Sequence, residues 1–240
     1  MKNELPYNKT ELENVSPSGK LYLVSTPIGN LEDMSLRALR ILKEVDLIAA
    51  EDTRHTLHLL RHYNIDNEIT SYHDFNKTKR APELINFLKQ GKSLAVVSDA
   101  GTPGISDPGY LLVKLAIQEN IEIIPIPGPT AFISALVVSG LPTDRFVFEG
   151  FLPSKEGKRK RKLGELTDEK RTIILYESPH RLLKSLHQLK EFLGDRNVVL
   201  ARELTKKFEE IKRGKISQLI DYSTQKKIKG EIVILVEGKT

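Results

Sequence analysis

The sequence of 240 residues contains no cysteine and no tryptophan. Without cysteine, the chain can form no disulfide and can offer no thiolate as nucleophile or metal ligand. No apolar run reaches the length of about 18 residues that a membrane-spanning helix needs. Residues 1–18 are polar and lack the apolar stretch of a secretory signal peptide. We therefore expect a flexible lead-in over residues 1–18 and a cytoplasmic protein with no membrane association.

The charge balance is only modestly basic. Lys and Arg number 37 against 32 Asp and Glu, which gives a formal net charge of +5. Such an excess is compatible with a nucleic-acid partner but does not by itself indicate one. The positions of the charges are therefore more informative than their sum.

From Lys20 to about Leu141, short β-rich runs alternate with segments of helical period. Leu36, Leu39, Leu42 and Val45, for example, lie on one helical face. Alternation of this kind predicts a parallel five-stranded sheet with helices on both of its faces, an α/β fold. The predicted strands are residues 21–25, 46–50, 68–72, 93–98 and 121–126.

After residues 140–145, strands outnumber helices, which predicts a second α/β domain with a mixed sheet. Ser178 and Pro179 are typical of a helix start, and Gly194 of its end. We predict a lead-in over 1–18, an N-terminal domain over 19–142 and a C-terminal domain over 143–240. The predicted strands of the second domain are 145–150, 172–177, 197–202, 208–213 and 231–237, with a short helix near 216–222 and a loop at 155–162.

Three loops rich in Gly and Pro follow predicted strands one, four and five. They are STPIGN (25–30), SDAGTPGISDPG (98–109) and PIPGPT (125–130). Glycine lets the backbone approach a ligand closely, and proline stiffens a loop before binding. Loops at the carboxyl ends of neighbouring parallel strands commonly form one pocket. They predict a pocket for a small, largely neutral molecule, in which Asp99 and Asp107 accept hydrogen bonds.

Two segments pair a carboxylate with an arginine at the end of a strand. AEDTRH (50–55) contains Glu51, Asp52 and Arg54, and YESPHR (176–181) contains Glu177 and Arg181. A desolvated carboxylate there is a candidate general base, whereas helix capping with a surface ion pair explains the same residues equally well. The segment AEDTRH and the residues that follow it contain several histidines, but these do not form an HExxH pattern. We therefore expect no metal site.

The strongest run of positive charge is KEGKRKRK (155–162). Such a run is typical of a solvated surface, and it also suits contact with the phosphates of a nucleic acid. The candidate RNA-binding residues in it are Lys155, Lys158, Arg159, Lys160, Arg161 and Lys162.

The ordered set of motifs resembles one known family. STPIGNLED, AEDTRHT, SDAGTPGISDPG, PGPTA, EGFLPSK, YESPHR, ARELTK and KGEIVILVEG follow one another over residues 19–238. In this order they resemble the bacterial small-subunit rRNA (cytidine-2′-O)-methyltransferases of the tetrapyrrole-methylase-like superfamily. The resemblance implies two α/β domains that bind S-adenosylmethionine (SAM) between them, a homodimer, and ribosomal RNA of the small subunit (16S) as substrate. Many members continue with a basic or helical C-terminal extension, so here we expect the basic run to contribute more to RNA binding.

Methyl transfer to a ribose hydroxyl asks for a general base, and the two segments that pair a carboxylate with an arginine supply the candidates. Candidate catalytic residues are Glu51, Asp52 and Glu177, and Arg54 and Arg181 are expected to bind RNA phosphates together with the basic run. Two alternatives stay open: a SAM-dependent methyltransferase that acts on a small molecule of the tetrapyrrole type, and a non-catalytic nucleotide-binding module. The implied SAM-binding residues are Pro27, Ile28, Gly29, Asp99, Gly101, Thr102, Pro103, Gly104, Ile105, Ser106, Gly128, Pro129, Thr130, Ala131, Tyr176, Leu204 and Gly230.

Overall fold

A computed structural model describes residues 19–240, so the predicted lead-in over 1–18 lies outside the described residues. The described chain divides into two compact units. Among the described residues, the first unit comprises 19–25 together with 35–127, and the second comprises 26–34 together with 128–240. The change of unit falls between Pro127 and Gly128, ahead of the predicted domain boundary at 142–143, because the helix over 131–137 packs on strands of the second unit.

The first unit contains a five-stranded sheet in the order β3-β2-β4-β1-β5. All of its strand pairs are parallel, as the alternating pattern predicts. Every residue of β2 and β4 is buried, which explains why their sequences are continuously apolar. The strands are β1 (Lys20–Val24), β2 (Leu47–Ala50), β3 (Ile69–Ser71), β4 (Leu94–Val97) and β5 (Glu122–Ile126).

Four helices cover this sheet: α1 (Leu36–Glu44), α2 (Thr53–His62), α3 (Lys77–Lys89) and α4 (Tyr110–Gln118). Helix α1 begins after Ser35, whose hydroxyl accepts a hydrogen bond from the Ala38 N–H at 3.1 Å. The predicted apolar helical positions face the sheet, since Leu84, Leu88 and Leu112 share one buried cluster with strand residues.

The second unit contains a mixed five-stranded sheet in the order β6-β7-β10-β8-β9. Strands β6 and β7 are parallel, and the remaining pairs are antiparallel. The strand β10 lies in the middle, and all of its residues are buried. The strands are β6 (Phe146–Phe151), β7 (Thr172–Glu177), β8 (Asn197–Arg202), β9 (Glu210–Lys215) and β10 (Ile232–Val236).

Both faces of the second sheet are covered. One face packs against α6 (Glu156–Glu165), α7 (Leu182–Leu193) and α8 (Ile216–Gln225), and the other packs against α5 (Ala131–Val137) and Ile28. Successive residues of β7 serve the two faces in turn, because side chains alternate along a strand. We call the first side the three-helix face and the second the α5 face.

Two local predictions in the second unit are wrong. Residues 155–162 were predicted as a loop, but 156–165 form the helix α6, whose inner side carries Arg159 and Leu163. The basic composition conceals this helix because one of its two buried residues is an arginine. Helix α7 begins at Leu182 and not at Pro179; the preceding residues form a turn in which the Arg181 N–H donates to the Ser178 carbonyl at 3.0 Å. Its end at Gly194, with φ 79°, is as predicted.

Candidate functional site

In the first unit, two of the predicted segments meet at the carboxyl ends of the neighbouring strands β2 and β4. The Asp52 N–H donates to Asp99 Oδ1 at 3.0 Å, and the Asp99 N–H donates to Glu51 Oε2 at 3.3 Å. These crossed hydrogen bonds fix the two loops to each other. The site therefore begins with two carboxylates, those of Glu51 and Asp99, held side by side.

A third carboxylate, that of Asp107, belongs to the same cluster. Burial, together with the negative charges of Glu51 and Asp99, raises the pKa of Asp107 to about 7, although a hydrogen bond with Ser98 acts in the opposite direction. Burial also raises the pKa of Glu51, against a hydrogen bond from the backbone of Asp99. A raised pKa suits a carboxylate that exchanges a proton near neutral pH. The sequence identified Asp107 only as a hydrogen-bond acceptor; the available signal was the convergence of three acidic residues from the ends of two neighbouring strands.

Asp52 has a different environment from Glu51. Its carboxylate accepts the Arg54 N–H at 2.9 Å, which caps helix α2, and it also binds the Arg54 guanidinium through two hydrogen bonds of 3.1 and 2.7 Å. These bonds hold the pKa of the Asp52 carboxyl well below its usual range. Asp52 therefore caps the helix and forms a surface ion pair, which is the second of the two interpretations of this segment. Arg54 lies on the surface, with 88% of its side chain exposed.

The loop after β4 is folded back on itself and fastened to the end of β1. The hydroxyls of Ser25 and Thr102 lie 2.9 Å apart. Gly101 and Gly104 have φ angles of 89° and 86°, a left-handed backbone that glycine adopts without strain. The predicted SAM-binding run Asp99–Ser106 therefore forms one compact loop, and Pro103 within it is buried.

In the second unit, other predicted SAM-binding residues come together on the α5 face. Ile28, Ala131, Tyr176 and Leu204 contribute to one apolar cluster although they are far apart in the sequence. Phe148 stacks on Phe132 at 4.4 Å between ring centres and meets Tyr176 edge-on at 5.0 Å. Pro27 is buried beside Ile28, and Gly128–Thr130 lead into helix α5.

Two predicted glycines, Gly29 and Gly230, are pressed against the turn that follows β8. A Cβ on Gly29 would lie 2.3 Å from Lys206 Cγ, and one on Gly230 would lie 2.3 Å from Glu203 Cδ. Gly230 also has φ 90°, which a side chain would strain. Glycine is therefore required at both positions because side chains of Lys206 and Glu203 occupy the space that a Cβ would need.

The same turn carries a buried polar atom without a partner. Thr205 Oγ1 has no hydrogen bond among the described residues, and it would lie 2.9 Å from a Cβ on Gly29. Burying a hydroxyl without a partner costs about 1–3 kcal/mol, so a polar ligand that supplies one is favoured. An orphaned hydroxyl beside bare glycine backbone fits a ligand that is apolar in part and polar in part, as SAM is.

Glu177 and Arg159 form a buried ion pair, with 1% and 3% of their side chains exposed and 3.2 Å between Oε2 and Nη2. Arg181 approaches the other carboxylate oxygen at 3.2 Å and donates to the Leu152 carbonyl at 2.6 Å. Ser185 Oγ bonds to both Glu177 and Arg159. Neither Arg159 nor Glu177 is exposed for contact with substrate, which corrects their predicted roles in RNA binding and catalysis.

The other basic residues of the run differ in availability. Lys155, Lys158 and Arg161 are exposed, and no acidic partner accompanies them within the described residues. Lys160 lies 3.5 Å from Glu156, and Lys162 lies 2.6 Å from Glu149. Helix α6 therefore presents a positive outer surface and an anchored inner one.

Within residues 19–240, no group of three or more His, Asp or Glu side chains is placed to hold a metal ion. The same residues include no helix of the length and apolarity required to cross a bilayer.

The fold is that of a known class. The family model described as Tetrapyrrole (Corrin/Porphyrin) Methylases matches residues 20–220. A cobalt precorrin-4 methyltransferase of cobalamin biosynthesis shares the fold with a TM-score of 0.67 at 20% identity, over 91% of this chain and 94% of that one. The uroporphyrin-III C-methyltransferase of Thermus thermophilus gives a TM-score of 0.63 at 19% identity, over 90% and 94%. The class is thus that of the tetrapyrrole-methylase fold.

Sequence relatives narrow the class. A protein of Synechocystis is 56% identical over 92% of this chain and 80% of its own length. Proteins of Halalkalibacterium halodurans and Thermotoga maritima are each 51% identical over 92% of this chain, and over 76% and 99% of their own lengths. All three are named ribosomal RNA small subunit methyltransferase I. The chain belongs to this family of methyltransferases, which confirms the resemblance and the enzyme class predicted from the motifs.

Proposed function

We propose that the protein transfers a methyl group from SAM to the ribose 2′-hydroxyl of a cytidine in 16S rRNA. The names of the relatives support the rRNA substrate. The cofactor is supported above all by one observation: Gly29, Gly230 and the unpartnered Thr205 hydroxyl surround one turn of the second unit. Two of the glycines predicted for SAM, Gly29 and Gly230, have no room for a side chain, and Thr205 lies next to Gly29.

Each unit, taken by itself, carries residues that we propose for cofactor binding. In the second unit they are the backbone at Gly29 and Gly230 and the apolar side chains of Ile28, Tyr176 and Leu204. In the first unit they are the groups of the compact loop over 99–106. SAM, when bound, supplies a methyl group activated by a sulfonium. Rigid binding residues favour the transfer because they restrict the orientation of the reactants.

Methylation of a hydroxyl releases a proton, which a carboxylate can accept. We assign this role to Glu51, because burial raises its pKa. Asp107 lies in the same cluster and shares its negative field. Asp52 is held ionised as a helix cap by Arg54, and Glu177 is neutralised by two arginines, so neither is retained as a base.

The proposed RNA surface of the second unit is the outer side of helix α6, and Arg54 is proposed separately as a phosphate contact of the first unit. Phosphate groups are bound by exposed cations, and these contacts orient the substrate without selecting its sequence. Lys155, Lys158, Lys160 and Arg161 remain in this set, while Arg159 and Arg181 are assigned to the interior of the protein. Lys162 is half-buried against Glu149 and contributes less.

The decisive test is a methyl-transfer assay with the purified protein, isotopically labelled SAM, and small subunits or naked rRNA from cells that lack the protein. We expect one labelled 2′-O-methylcytidine in 16S rRNA, located by nuclease digestion and mass spectrometry. If the label appears only on tetrapyrroles offered in parallel, the protein is instead a methyltransferase that acts on a small molecule of the tetrapyrrole type. Calorimetric binding of ATP without binding of SAM would identify the non-catalytic module.

From the family resemblance we also propose a homodimer that acts in the cytoplasm, where its ribosomal substrate is made. Light scattering after size-exclusion chromatography is expected to give twice the chain mass. A monomer that retains full methyl-transfer activity would contradict the proposed dimer.

A further inference from the structure

Besides the residues of the candidate site, the second unit contains a cavity between the start of helix α7 and the segment 226–230. Its volume is about 510 Å³, within the range of about 300–1,000 Å³ typical of small-ligand sites. Leu182 and Ile228 form its buried apolar floor, and Pro179 and Leu183 extend this floor outward. The cavity is therefore large enough for one nucleotide.

This cavity is distinct from the proposed cofactor site. Leu182 and Ile228 belong to the core of the three-helix face. Ile28, Tyr176 and Leu204 belong to the cluster on the α5 face. The central strands of the sheet separate the two clusters, and only Gly230 is common to both sets of residues.

The rim of the cavity is positively charged. Lys226, Lys227 and Lys229 line it, and no acidic residue is among the described residues that do so. Lys226 is engaged by Glu210 at 3.1 Å and by the Tyr222 hydroxyl at 2.9 Å. Lys227 and Lys229 are exposed and have no acidic partner within residues 19–240, which leaves two ammonium groups for an anion.

The backbone that carries these lysines is held in place. The Lys229 carbonyl accepts a hydrogen bond from Arg202 Nη1 at 3.1 Å. A fixed backbone reduces the conformational entropy that a bound ligand must remove.

The interior of the cavity offers groups suited to a nucleobase. Ser223 Oγ is buried and has no hydrogen-bond partner among the described residues. His180 provides a ring, and Leu183, with 37% of its surface exposed, provides an apolar patch beside it. Stacking of a base on a ring is favourable and tolerates any base sequence.

We propose that this cavity binds one nucleotide of single-stranded substrate RNA, outside the site of methyl transfer. Lys227 and Lys229 hold its phosphate, while its base packs on Leu183 and His180 and hydrogen-bonds to Ser223. The inference rests on the proposed function, since it assigns the bound nucleotide to the rRNA substrate. It gives the enzyme a second point of attachment, which fixes the register of the RNA.

The test compares the double variant Lys227→Gln/Lys229→Gln with the matched control Lys170→Gln/Lys190→Gln. The control removes the same charge from exposed lysines of the second unit that do not line this cavity. Fluorescence anisotropy with a single-stranded rRNA fragment is measured over a range of salt concentrations. We expect the magnitude of the salt slope to fall by about 0.7 in the cavity variant, because the two lysines hold one phosphate.

Further measurements distinguish the ligand and the function. Ser223→Ala is expected to weaken RNA binding several-fold at unchanged salt slope, because it removes a neutral contact. SAM affinity by calorimetry is expected to be unchanged in all variants. Inorganic phosphate and cytidine monophosphate are titrated separately, and saturation by either at micromolar concentration would overturn the assignment to RNA.

Failure of the inference is separable from failure of the proposed function. If the parent protein methylates rRNA and the cavity variant keeps the control's salt slope, the inference is overturned and the function stands. If the parent binds RNA through these lysines but methylates none, the proposed function fails and the RNA subsite stands. A parent protein that binds no RNA would overturn both.

Discussion

The buried pair of Arg159 and Glu177 allows a quantitative prediction. Replacing Arg159 by Met keeps most of its volume and leaves the Glu177 carboxylate buried with one guanidinium fewer. Removal of one partner from a buried pair costs about 3–5 kcal/mol. Arg181 at 3.2 Å and the Ser178 N–H at 2.8 Å still compensate the charge in part, so we expect about 3 kcal/mol.

The measurement is a double-mutant cycle of Arg159→Met and Glu177→Met in urea unfolding, followed by circular dichroism. The double variant replaces the pair by apolar groups, so we expect it to lose about 2 kcal/mol less than the sum of the single variants. Lys158→Met, on the exposed side of the same helix, is the control and should stay within about 0.5 kcal/mol of the parent. If Arg159→Met is equally harmless, or the two losses are additive, the pair is not a structural anchor.

Three further predictions concern the two halves of the candidate site. Glu51→Gln should lower kcat by about 100-fold or more with SAM affinity unchanged. Asp52→Ala should lower thermal stability but largely retain kcat. Equal losses of kcat in the two variants would refute the assignment of Glu51 as the base. Because the pKa of Asp107 is raised from 3.8 to about 7, the folded protein binds more protons than the unfolded chain between these values, so stability should fall as pH rises through that window. Asp107→Asn should flatten this dependence in thermal unfolding at several pH values, and an unchanged profile would contradict the shift. Gly29→Ala should weaken SAM binding at least tenfold in calorimetry, while Gly157→Ala, which meets nothing within 4 Å, should leave it intact; equal affinities would show that Gly29 is not at the cofactor site.

Much of the fold could be predicted from sequence because its signals are local. The continuous apolar runs of β2 and β4 indicate strands buried on both faces, and Gly194 marks the end of α7. Helix α6 could not be predicted, because its signal is not local. Arg159 is buried on the inner side of this helix because Glu177, on strand β7, neutralises its guanidinium. A contact that depends on a distant partner leaves no periodic trace in the helix itself.

The site shows the same division between local and distant causes. Glycine-rich loops after strands predict backbone that a ligand can approach, and this stays a prediction. Gly29 and Gly230 are tightly enclosed by side chains of the turn after β8, which are distant in sequence from Gly29. The difference between Glu51 and Asp52, which are adjacent in sequence, could not be predicted. Hydrogen bonds from Arg54, within the same helix turn, lower the pKa of Asp52, whereas burial by other parts of the first unit raises the pKa of Glu51.

The division of the chain also constrains how the protein can be made. Residues 26–34 leave the first unit, supply Ile28 to the α5 face of the second, and return before helix α1. A fragment that starts at residue 143 would omit Ile28, Ala135 and Leu136 together, and would expose the apolar side of β8 and β10 to water. During synthesis, residues 26–34 can reach their neighbours in the second unit only after about a hundred later residues have been made. The second unit therefore cannot complete its folding from the C-terminal part of the chain alone.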